Sequence, residues 1–545
     1  MRIHHLLLLV TLVIVSCKNS TAQSSKESDI SEGNTLFFSK ADFSKKKAAE
    51  PVFSDSFTLN EDPYLSIQFT LEEPLIRSLE AVAPGLSEAE LLNSGNFQFS
   101  FLVDGEVVYV ENLNTGAGLP PSKTEKLQHN IRLVAPHQLD YWGWYLWMKF
   151  MKLGGGQDVM DEGDHVLRIE VRSYVQKGAV KIGELLAQGN LNLSVAEIVV
   201  DPSLVSLQEI QPNSGWEIST AKFDTKKIEA LNKKIAQQRF ENINGIVVIK
   251  EGRILLEEYF NGESRESLHN PRSVGKTIAS SLLGIALAEN HISDEHMRLK
   301  DFYDLKSFEN YSPEKDAVTL KSILTMSSGF LGDDNDYDSP GNEENMYPTA
   351  NWVKFALDLP MDNEKEMGED FAYFTAGIVV LGDIIHKSVP GGLVNYADKK
   401  LFQPLGITNY RWQYTPQKVG NTAGGIQLRA LDFAKYGQLY KNKGLWHGAQ
   451  LVPSNWVEKS LSKQIAQSLD GGHYGYLFWN KTYTIDDTEY EVSYCSGNGG
   501  NKIFIFKDIP FVVVITASAY NLPTAHPNVD KIMRDYVLPA VLNQE

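Results

Sequence analysis

The hydrophobic period of this chain changes near residue 200, and that change restricts what the chain can fold into. Between about residues 51 and 200, short segments at 64–69, 97–101, 107–110 and 165–171 alternate apolar and polar side chains between turns rich in Gly, Asn and Asp. A period of two is that of half-buried strands, so this stretch predicts an all-β sandwich of about 150 residues. Beyond residue 225 the pattern is mixed. Residues 228–240 have helical spacing, residues 245–250 and 253–260 read as a hairpin turning at Glu251-Gly252, helices then dominate to about residue 460, and strand patterns return at 490–494, 502–506 and 511–516. Strands from both ends of such a region can share one antiparallel sheet flanked by helices, an α+β domain over 225–545. A chain of 545 residues exceeds what one core serves, so a multi-domain protein follows, and 201–224, with Pro202, Pro212 and Gly215, reads as a linker.

Ahead of these lies a leader. Met1-Arg2 and two histidines precede an apolar run from Leu6 to Val15 broken only by Thr11, the length of a signal-peptide core rather than of a membrane span. Residues 1–17 are therefore expected to direct export to the cell envelope. Ser16-Cys17 resembles the cleavage box of bacterial lipoproteins, which would leave Cys17 lipidated and the protein anchored to a membrane. The rival reading is cleavage after Ala22, where Ser20-Thr21-Ala22 has the small-x-small form. Residues 18–50, rich in Ser, Lys, Asp and Glu, have the composition of a flexible tether. Cys495 is the one other cysteine, so no intrachain disulfide framework exists. A net charge of -18 without basic runs argues against a nucleic-acid partner.

Chemistry concentrates at residues 270–288. Ser273 is followed three positions later by Lys276 at the start of an apolar run in which Ile278, Leu282 and Ile285 have helical spacing. On a helix opening near Ser273, the hydroxyl and the amine share one face and come within reach of each other. A serine needs a neighbouring base to attack a carbonyl, and a lysine held neutral by its surroundings can be that base. The opening of the helix also offers free N–H groups for an oxyanion. Standing alone, Ser-x-x-Lys fits a helix N-cap followed by a solvated lysine better than it fits a catalytic pair.

Further strings appear in a fixed order. Leu320 to Phe330 contains Leu-Thr-Met-Ser-Ser-Gly, Gly368 to Gly377 contains Tyr373-Phe374-Thr375, Thr422 to Ile426 and Asp432 to Gly437 follow, and Ser496-Gly497-Asn498-Gly499-Gly500-Asn501 comes near the end. With Ser273 and Lys276, these resemble the serine β-lactamase-like hydrolase family, which includes class C β-lactamases, DD-peptidases, esterases and nylon-oligomer hydrolases, over about residues 215–545. The resemblance implies that Ser273 is the nucleophile, that Lys276 and Tyr373 carry its proton, and that an oxyanion is held by the backbone N–H groups of Ser273 and Asn501 beside Gly500. Two departures bear on substrate. Thr375 replaces the asparagine of the commoner Tyr-x-Asn form, and Asn498 stands where lysine or histidine is usual, which removes the likely anchor for a substrate carboxylate. Tyr337, in a loop that borders the pocket in that family, is a further contact implied by the resemblance.

The expected function is therefore that of a serine hydrolase acting on a small ester or amide, without a cofactor or metal. The alternatives are a DD-peptidase and a penicillin-binding-like sensor that holds a ligand without turnover. Residues 333–338 are acidic but lack EF-hand spacing and read as a solvated loop. His291 and His296 lack a zinc-ligand pattern, Cys495 reads as a packed thiol, and no G-x-S-x-G elbow exists. Residues 141–148, with three tryptophans, read as a strand used for packing or as a stacking platform.

Overall fold

The computed structural model describes residues 35–41, 53–118, 120–136, 142–467, 469 and 471–542. The leader, Cys17 and most of the 18–50 stretch lie outside the described residues. From Val200 onward the chain forms one compact unit, and the described residues before it form another.

The N-terminal unit is built from two sheets. One has five strands in the order Ser56–Leu59, Ala179–Val195, Gly163–Lys177, Gly95–Val103 and Glu106–Asn112; the other pairs Leu36–Ser39, Leu65–Thr70 and Gln128–Val134. Their inward positions meet in one core that includes Phe38, Ile67, Phe69, Phe99, Phe101, Ile169 and Val171. Two expectations need correction. Residues 36–39, placed in a tether, form an edge strand whose Leu36 and Phe38 are buried, because these alternate apolar residues find partners at Phe69 and Ile67. The tryptophan-rich stretch is a helix, Trp142–Met148, not a strand. Its buried residues Gly143, Leu146 and Trp147, continued by Phe150, recur every three or four positions and give a helical stripe. Phe150 stacks on Phe101 with ring centroids 4.5 Å apart, so this aromatic cluster is packing.

The C-terminal unit is organised around an eight-stranded antiparallel sheet. Its order is Arg253–Tyr259, Ile243–Lys250, Phe511–Ala517, Asn501–Phe506, Thr488–Gly497, Trp479–Ile485, His473–Tyr474 and Ile465–Ala466. The early hairpin thus joins the late strands directly, with Val247 opposite Val514 and Ile249 opposite Val512. Both faces are covered. Val247 and Ile249 belong to the core that contains the helices Lys276–Ala288 and Thr375–Ser388, whereas Ile246 and Val248 pack with Thr225–Ala236 and the C-terminal helices. Two-sided burial explains the continuous apolar run of Phe511–Ala517.

Residues 201–224, read as a linker, are bound to this unit. Ser219 N–H donates to Ile254 O at 2.8 Å, Ile254 N–H donates to Glu217 O at 2.9 Å, and Trp216 meets Trp446 edge-on. Those polar and aromatic partners lie far along the chain, so a local Pro/Gly signal could not reveal them.

Candidate active site

The Ser273 turn comes first. Arg272–Gly275 is a 3-10 turn and the α-helix proper begins at Lys276, one turn later than the spacing predicts. Arg272, directly before Ser273, has a φ of 52°, in the left-handed region that a residue with a Cβ enters at a cost of about 1 kcal/mol. Backbone from two other segments closes on this turn. Gly424 (φ 133°) could carry no side chain, since a Cβ there would lie 2.3 Å from Arg272 O, and a Cβ on Gly497 would lie 1.9 Å from Pro271 O and 3.1 Å from Ser273 N. Glycine at these positions lets the chain grip the serine from both sides.

Ser273 is half-buried and remains reachable, while Lys276 is 1% exposed. Lys276 Nζ lies 2.6 Å from Ser273 Oγ and donates to Ala423 O at 2.8 Å. The helix behind it is locked by Trp456, whose indole N–H donates to Ser280 O at 2.9 Å and whose ring covers Gly284.

Tyr373 completes the cluster from a separate segment. Ala372 N–H donates to Met326 O at 2.8 Å and Gly368 N–H to Ser327 O at 2.9 Å, so the Met-Ser-Ser-Gly string holds the tyrosine segment. Its phenol shares a hydrogen bond with Ser273, and Lys276 Nζ stands 5.2 Å from its ring centre. Burial raises the phenol above its ordinary pKa, opposed by the Lys276 charge and the Ser273 hydrogen bond. It therefore stays protonated at neutral pH and can act as a proton donor. Trp479, on the sheet, stacks against Tyr373 with ring centroids 5.7 Å apart and forms an aromatic wall.

The acidic loop is not fully solvated, contrary to its composition. Asp334 N–H donates to Tyr373 O at 2.8 Å, and the Asp334 carboxylate accepts from Thr375 N–H at 2.9 Å and from Glu343 N–H at 2.8 Å. Burial and the Glu343 charge push this carboxyl up to about 6, against hydrogen bonds from Thr375 and the charge of Lys276. The other acidic residues of the loop conceal this one in the sequence. Tyr337 is 75% exposed at the loop tip.

Of the remaining predicted residues, Thr375 is fully buried as the first residue of Thr375–Ser388, which leaves no solvent-facing hydroxyl to replace an asparagine's grip on substrate. Asn501 pairs with Gly497 across the hairpin, but its side chain is engaged with Ala517 through Nδ2 to O at 2.8 Å and N–H to Oδ1 at 3.1 Å. Gly500 packs toward Ala525, with a Cβ there 3.0 Å from Ala525 O. Gly497 is the hairpin residue set against the Ser273 amide. Asn498 is exposed and tied to Asn521, Nδ2 to Oδ1 at 2.5 Å and N–H to Oδ1 at 2.8 Å. Cys495 is fully buried against Thr277 and burial pushes its thiol up to about 12, which keeps it inert. Sequence reasoning placed Ala423, Gly424 and Gly497 within the ordered strings but gave them no role, since they act through backbone, and it missed Trp479, whose place beside Tyr373 has no sequence signal.

A serine and a buried lysine on one stretch of chain, met by a tyrosine from a second segment, are a candidate unit for acyl transfer. The model of the family described as Beta-lactamase matches residues 231–536, more than half of the chain. The chain belongs to the beta-lactamase family. No curated protein matches it. Solved structures that resemble it include a protein from Bacillus anthracis assigned as a 6-aminohexanoate-dimer hydrolase, at 19% identity and TM-score 0.47 over 56% of this chain and 80% of that one. An octameric penicillin-binding protein homologue from Pyrococcus abyssi aligns at 19% identity and TM-score 0.46 over 56% and 76%. A family VIII carboxylesterase aligns at 15% identity and TM-score 0.45 over 60% and 100%. Within this beta-lactamase family member the matched region holds Ser273, Lys276, Tyr373 and the glycine-rich hairpin, and the N-terminal sheets lie outside it.

Proposed function

We propose that this family member hydrolyses an ester or small amide through an acyl-enzyme on Ser273. The observation that carries the reading is the 2.6 Å approach of Lys276 Nζ to Ser273 Oγ inside a buried setting. Ser273 Oγ attacks the carbonyl carbon and its proton passes to the Lys276 amine in its unprotonated form, which hands it on to Tyr373 as the phenol gives its own proton away. The developing oxyanion lies by the Ser273 N–H, at the turn that Gly424 and Gly497 hold in place. The Tyr373 phenol then protonates the leaving group, and water releases the acyl group with the proton steps reversed.

Two observations set the substrate grip of this site apart from that of the commoner family motifs. Asn498 is neutral and its side chain is occupied by Asn521, and Thr375 is fully buried, so neither offers a charged or amide grip on a peptide end. The test is hydrolysis of a p-nitrophenyl ester by the parent and by Ser273→Ala. Loss of at least about a thousandfold in kcat/KM is expected from removing the nucleophile; an unchanged rate would refute the assignment.

A further inference from the structure

Arg272 is an exposed cation one residue before the nucleophile, in a chain whose 69 acidic residues outnumber its 51 basic ones. Among the described residues no carboxylate lies within ion-pair distance of it, whereas Arg253, Arg265, Arg429 and Arg534 each bind one. With that excess of acids, an arginine left without one at the site is a free electrostatic resource. Its place is fixed. The guanidinium lies over the Tyr520 ring at 4.6 Å, and the Tyr520 hydroxyl donates to Asn270 O at 3.0 Å, which ties the ring to the segment that carries the nucleophile. Tyr520 in turn lies against Gly499, where a Cβ would stand 2.7 Å from its ring. Arg272 therefore sits on the rim formed by the glycine-rich hairpin, the same hairpin whose Gly497 touches the Ser273 amide. The left-handed φ of Arg272 is part of this placement, held by Gly424 and Gly497 against its flanking peptides.

Resting on the serine-hydrolase reading, we propose that Arg272, braced by Tyr520, is a specificity-determining residue that holds an anionic group of the substrate, so that the preferred ester or amide carries a carboxylate beyond the scissile carbonyl. The planar guanidinium offers two parallel N–H donors to a carboxylate, and stacking on Tyr520 limits the side-chain freedom lost on binding. A substrate group that leaves the oxyanion position past the hairpin meets this cation on the rim. Asn498 on the same rim supplies no charge, whereas Arg272 places an exposed cation there.

The experiment compares two p-nitrophenyl esters of equal length, mono-p-nitrophenyl adipate and p-nitrophenyl hexanoate, with the purified full chain, its Arg272→Gln variant and its Arg272→Lys variant. The readout is the adipate-to-hexanoate ratio of kcat/KM. In the parent the ratio is expected to exceed that of Arg272→Gln by about tenfold, with Arg272→Lys between them, and to shrink as salt is raised to about 0.5 M. A ratio equal in parent and Arg272→Gln, or one insensitive to salt, overturns the proposal. The two failures are distinguishable, because hydrolysis of the hexanoate ester that depends on Ser273 but lacks an anion preference removes the role of Arg272 and leaves the serine-hydrolase reading intact. A parent inert toward both esters removes the reading on which the role rests.

Discussion

Asp334 illustrates how a residue can serve a site at the expense of the fold. Its three backbone contacts fix Tyr373 and the start of Thr375–Ser388, yet its carboxyl is held up at about 6 by burial. A carboxyl whose folded pKa is raised contributes stability that is present below its unfolded pKa of about 4 and is lost as pH rises through the folded value. Asp334→Asn lacks that titration. Its stability relative to the parent is expected to improve between pH 4 and pH 7, as read from urea midpoints at both pH values, while kcat/KM on a p-nitrophenyl ester falls by about tenfold through loosening of Tyr373. A stability difference that does not move with pH would rule out the buried charge as its cause. The same scale holds most of what the sequence concealed. Ser273, Lys276 and Tyr373 were legible because the family strings mark their side chains, whereas Ala423 and Gly497 act through atoms that every residue shares.

At the scale of elements, a charged cluster adds to the apolar packing that holds the helix Ala525–Lys531 on the sheet. Asp530, on Ala525–Lys531, accepts from the Tyr483 hydroxyl at 2.8 Å, pairs with Lys481, and lies 3.3 Å from the nearly buried Lys502. Burial raises its pKa, but the two lysines outweigh that and hold the carboxyl well below the usual carboxylate range. A depressed folded pKa contributes stability above the unfolded value of about 4 that is lost as pH falls through the folded one. Asp530→Asn is expected to cost about 2 kcal/mol at pH 7, because it leaves Lys502 without its counter-ion, and the deficit is expected to shrink below pH 4. Chemical unfolding at pH 7 and pH 3 checks this; an equal deficit at both would assign the effect to packing. The elements themselves were legible where the period was clean, as in the hairpin at Ile243–Tyr259 and the late strands. The Trp142–Met148 helix was misread because its tryptophans suggested strand propensity, although the buried positions follow a helical period.

Over the whole molecule, the break in hydrophobic period near residue 200 coincides with the division into two compact units, and the beta-lactamase family match lies within the second. The exact edges were less legible, because contacts that recruit residues 36–39 and 201–224 lie far along the chain or between side chains of no distinctive pattern. The C-terminal unit brings its first and last strands together in one sheet and sets the Ser273 turn against the Gly497 hairpin, so a site assembled from residues 273 to 497 depends on that closure. The proposed hydrolysis requires Ser273 to be an activated nucleophile. Incubation of the purified chain with a fluorophosphonate, followed by peptide mass spectrometry, tests this most directly: the phosphonyl adduct is expected on Ser273 and is expected to be absent in Lys276→Ala, whereas an adduct on another residue, or none on the parent, would contradict it.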